Sequence, residues 1–107
     1  MKTEILVIGR HEEILQILIR LINQNDQWNA SATSSDEEAI QLFAGGGFDI
    51  VLLSSGIEKD AEKALCSYFM EQRPGTIIIQ HYGGGSGLLT GEILMALEHK
   101  NSQTYPA

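Results

Sequence analysis

A single cysteine, Cys66, excludes an internal disulfide in this chain of 107 residues and points to a reducing compartment. Basic residues are also scarce: 7 Lys and Arg stand against 14 Asp and Glu, a net charge of -7. That balance excludes the clustered cationic surface that nucleic acid requires, and it favours solubility more than any particular partner. No apolar run is long enough to span a membrane or to serve as a secretion signal. The first, residues 5–8, is ended by Gly9, Arg10 and His11. A cytoplasmic protein with no membrane contact is therefore expected.

What is present is the ordinary material of a globular fold. Hydrophobic residues make up 43%, too many for a disordered chain, and the length suits one domain with one core. The expected domain covers residues 1–100, with a frayed tail over 101–107. Residues 4–8 and 49–53 predict two strands, whose continuous apolar runs over 5–8 and 50–53 fit burial on both faces. Residues 28–33 alternate weakly and predict an edge strand. Residues 76–79, Thr-Ile-Ile-Ile, predict a fourth strand with the strongest β-branched character in the chain. Between them, apolar spacing predicts helices over 12–24, from about 36 to 44 and over 58–72; after the fourth strand it predicts a last helix over about 91–99, with a start near Leu88 as the alternative. Ser35 and Glu38 fit a capping box at the start of the second. Strands alternating with helices imply a parallel sheet with helices on both faces and right-handed crossovers.

On Ile5-Leu6-Val7-Ile8, Glu13-Ile14-Leu15, Asp36-Glu37-Glu38-Ala39-Ile40 and Phe48-Asp49-Ile50-Val51-Leu52-Leu53, with residues 76–79 as the fourth strand, the chain resembles a response-regulator receiver domain. The resemblance covers roughly residues 3–82. It implies an α/β, doubly wound, flavodoxin-like parallel sheet of four strands in the order 2-1-3-4. It also implies a phosphorylation site whose chemistry this chain has lost. Where the family holds Mg²⁺ with an acidic pair after the first strand, Gly9 and Arg10 stand. Where it places the phosphoacceptor aspartate, Ser54 stands, and a neutral hydroxyl is no anionic nucleophile. Gln80 or His81 replaces the family's Thr or Ser after the fourth strand, and its Lys-Pro pair is missing. Only residues 83–87 separate Tyr82 from the next apolar segment, too few for a parallel crossover. The usual passage through a fourth helix and fifth strand is therefore expected to be missing, with residues 83–100 folding back or exchanging between chains.

Ligands of open α/β sheets gather at the carboxyl ends of the strands. Arg10, His11, Ser54, Ser55, His81, Gly84 and Ser86 fall there, and form the candidate site for a small anion or nucleotide. The glycine-rich stretch carries no Lys of a nucleotide-binding loop. His11 and His81 lack a third spaced ligand, so no metal is expected. Ser54 has neither flanking glycines nor an orienting acid, so no enzyme and no cofactor are expected. Cys66 reads as a small core residue.

The fourth strand has no Lys or Pro to protect it as a sheet edge. A homodimer covering that edge is the expected state, with Ile77, Ile79, Tyr82, Leu88, Leu89, Ile93 and Leu94 forming the interface; a signalling protein is a further partner. The sequence thus reads as a non-phosphorylatable, receiver-like interaction module. The anion-sensing domain is its alternative.

Overall fold

The two continuous apolar runs become the centre of the sheet. β1 (Thr3–Ile8) and β3 (Ile50–Ser54) pair in parallel, with Ile5 opposite Ile50 and Ile8 opposite Leu53. β2 (Trp28–Thr33) flanks β1, and β4 (Ile77–His81) flanks β3, giving the order β2-β1-β3-β4, all parallel. α1 (Glu12–Asn23), α2 (Asp36–Gly45) and α3 (Lys59–Gln72) connect them. The computed structural model describes residues 3–54, 56–81, 91, 93–95 and 97. Gly91, Ile93, Leu94, Met95 and Leu97 have helical backbone.

Strand alternation divides the core into two layers. Ile5, Val7, Ile50 and Leu52 face Leu15, Leu18 and Ile22 of α1, together with Trp28 and Ile93. Leu6, Ile8, Val51 and Leu53 face Ala39 and Phe43 of α2 and Leu65 and Phe69 of α3. The rings of Phe43 and Phe69 meet at 4.5 Å, tilted by 44°, with Tyr68 edge-on to both. Each fully buried side chain of this kind contributes about 1.5–3 kcal/mol, so both layers are needed to hold the sheet.

The sheet order and the element types follow the sequence reading; several details depart from it. β4 starts at Ile77 because the Thr76 amide closes a turn onto the Arg73 carbonyl, 3.0 Å away. β3 runs one residue further, to Ser54, which stands opposite His81. The capping box is half formed. Ser35 Oγ accepts from the Glu38 amide, but the Ser35 amide donates to Thr33 Oγ1 rather than to the Glu38 carboxylate.

Ile93, expected on an interface, is fully buried in the chain's own core; Ile77 and Ile79 pack half-buried against the same layer. Only Leu94 of that described set is exposed, at 51%. Tyr82, Leu88 and Leu89, the passage after β4 and the tail over 101–107 lie outside the described residues. No described helix is long and apolar enough to cross a membrane.

Candidate functional site

The carboxyl ends of the four strands bring Gly9, Thr33, Ser54 and His81 to one edge of the sheet, and the Gly9 amide donates to the Thr33 carbonyl. Ser54 is only 4% exposed. Gly9 packs directly against it: a Cβ added there would lie 3.0 Å from Ser54 Cβ and 3.1 Å from Leu15 Cδ2. A side chain at position 9 would therefore crowd both neighbours, and Ser54 sits under a glycine at the end of β3.

Arg10 leaves β1 and turns across the same edge. Its Nε donates to Glu58 Oε1 at 3.1 Å, Nη1 to the Ser34 carbonyl at 3.2 Å, and Nη2 to Asp36 Oδ2 at 3.0 Å. Asp36 Oδ1 is 2.9 Å from Nη1 but off the N–H axis, so it is paired in charge without a hydrogen bond of its own. One guanidinium thus ties the β1–α1 connection to the start of α2 and to the residue preceding α3. Asp36 thus receives one charge-assisted hydrogen bond, through Oδ2, and a second close charge contact, through Oδ1.

The hydrogen bond to Asp36, more than that to Glu58, raises the Arg10 pKa and outweighs the opposing effect of burial. Glu58 is held below the usual carboxylate range, first by its own backbone amide and then by Arg10. Asp36 also suits its place at the α2 N-terminus, where backbone amides favour an anion.

The remaining candidates are less closely gathered. His11 caps α1 without a side-chain hydrogen bond and lies over Gly56, whose φ of +94° needs glycine; a Cβ there would come within 3.0 Å of His11 Nε2. Arg10, His11, Glu12, Glu13 and Ile14 line an open depression beside the sheet edge. His81 closes β4 in register with Ser54. Ser55, Gly84 and Ser86 lie outside the described residues. Cys66 is half-buried in α3, and burial, followed by Glu62, pushes its thiol pKa up, away from a reactive thiolate. Sequence reading missed Asp36 and Glu58 as partners of Arg10. Asp36 carried a signal, but it reads as helix-start chemistry.

No protein-family model matches the sequence, and no curated protein matches it. Solved structures do. The signal receiver domain of an HD-domain-containing protein from Pseudomonas fluorescens Pf-5 superposes with a TM-score of 0.83 at 21% identity, covering 95% of this chain and 99% of that one. A CheY-like response regulator receiver domain protein from Methanospirillum hungatei JF-1 gives 0.82 at 11% identity, covering 96% and 99%. The response regulator TrrA from Thermotoga maritima, solved with Mg²⁺ and beryllofluoride, gives 0.73 at 14% identity, covering 90% and 99%. The chain folds as response-regulator receiver domains do, and those neighbours are signalling domains. The Mg²⁺ ion that this fold implies does not fit the residues here: Gly9 offers no side-chain ligand, and position 10 carries a cation.

Proposed function

We propose that this chain is a phosphate-independent receiver-like domain that acts through protein contact. The observation that carries this reading is Arg10. A phosphorylation switch recruits positive charge from solvent to acidic side chains; here the chain supplies it, fixed between Asp36 and Glu58. The Gly9–Ser54 contact supports the same reading, because it leaves the end of β3 covered. No residue is assigned a catalytic role. The anion-sensing alternative would require Arg10 to give up two carboxylates and a carbonyl.

The test is incubation of the chain with Mg²⁺ and acetyl phosphate, read by intact-mass spectrometry under conditions that preserve acyl phosphates, and with beryllofluoride, read by amide chemical shifts. The expected result is no phosphate adduct and no shift at Gly9, Ser54 or His81. A stoichiometric adduct on any residue at this edge would overturn the proposal.

A further inference from the structure

The exposed apolar side chains are unevenly distributed. Among the described residues the large ones are Ile14 at 38%, Ile17 at 52%, Leu94 at 51%, Met95 at 71% and Met70. The first four belong to α1 and to the terminal helical segment. Leu15, Leu18, Ile22 and Ile93 of those elements share one core layer, so both lie on the same side of the sheet. The opposite layer shows only Met70, on α3. An apolar surface concentrated on one layer marks a contact face.

Charge on α1 selects the occupant. Glu12 and Glu13 open the helix, and Arg20 lies in its last turn. Among the described residues Arg20 makes no ion pair, the ion pairs there being those of Arg10. Glu13, Ile17 and Arg20 are spaced i, i+4, i+7, and Ile14 lies one turn before Ile17; the apolar pair and the two charges therefore flank each other on the helix surface.

A second copy of this helix, laid antiparallel about a two-fold axis beside Ile17, puts each Glu13 against the other copy's Arg20. The same axis sets Ile17 against its counterpart and opposes the two helix dipoles. The face is self-complementary: its acidic end is matched by its own basic end, two turns away.

We infer that α1 and the terminal helical segment form an isologous homodimer interface, with Ile17 at its centre and two symmetry-related Glu13–Arg20 pairs at its rim. This rests on the protein-contact reading above and moves the contact from the β4 edge to the helical layer.

Light scattering and sedimentation of the full chain, from micromolar to submillimolar concentration, test it. The wild type should approach twice the chain mass. Ile17→Glu should remain monomeric, with an unchanged far-ultraviolet spectrum. Glu13→Arg should weaken the dimer on the order of tenfold by setting like charges together, and adding Arg20→Glu should restore it. A monomer at every concentration overturns the proposal, whether the chain stays monomeric alone or joins a helix of another protein. A dimer unchanged by Ile17→Glu overturns it equally, and returns the contact to β4. The phosphodonor experiment is independent: an unlabelled monomer defeats this interface and leaves the proposed function, whereas a labelled dimer does the reverse.

Discussion

At Gly9 a single added methyl group would crowd the end of β3. Its two nearest neighbours would be Ser54 Cβ at 3.0 Å and Leu15 Cδ2 at 3.1 Å. The leucine methyl can rotate away. Ser54 Cβ cannot, because it moves only with β3, whose residues are all buried. Gly9→Ala should therefore cost about 1–3 kcal/mol, as overpacking of a well-filled interior does. Urea denaturation measures this directly. Ser54→Gly in the same chain removes the immobile atom, so the double variant should recover part of what Gly9→Ala loses relative to Ser54→Gly alone. If Gly9→Ala unfolds at the wild-type urea concentration, the end of β1 is not packed as described. An acid at position 9, the residue a receiver would hold there, should be worse than alanine for the same steric reason and for the burial of its charge.

At the scale of elements, Arg10 joins three connections that the strands alone leave independent. Arg10 and Asp36 side chains are 22% and 37% exposed, so solvent and salt weaken their attraction. A double-mutant cycle with Arg10→Met and Asp36→Asn should give a coupling of about 1 kcal/mol at low salt and less at high salt. A coupling of zero would mean that the two groups lie together without tying α2 to β1.

The sequence reveals much of the fold around this clamp and little of the clamp itself. β1 and β3 are legible because burial on both faces leaves unbroken apolar runs. Ser35 marks the start of α2 because a hydroxyl before a helix has one favoured use. The partners of Arg10 are 26 and 48 residues away. No local period reports such a pairing, and the helix-start role of Asp36 already accounts for its charge. Gly9 is legible as a missing acid, but only three-dimensional packing shows that its site is filled. Ile93 and Leu94 read alike as apolar letters. A rotation of about 100° along the helix places one in the core and leaves the other at the surface.

For the whole molecule, that last difference decides whether the terminal segment is an accessory or part of the domain. Ile93 is fully buried among residues from β1, α1 and β3, so it closes a layer that α1 alone does not cover. Removing its side chain beyond Cβ should cost about 2–5 kcal/mol, a large share of the roughly 5–15 kcal/mol that holds a domain of this size together. Leu94→Ala removes an exposed group and should change stability by no more than about 0.5 kcal/mol. Dimerisation would blur the comparison, because association stabilises the folded state by mass action and Leu94 lies on the proposed contact face. Both substitutions are therefore best made in the Ile17→Glu background, where the expected monomer removes that contribution. Chemical denaturation there should show Ile93→Ala strongly destabilised and Leu94→Ala close to its parent, with midpoints independent of protein concentration. Equal losses at the two positions would show that the terminal segment does not pack as described. Midpoints that rise with concentration in this background would show that Ile93 completes the core of another copy rather than its own.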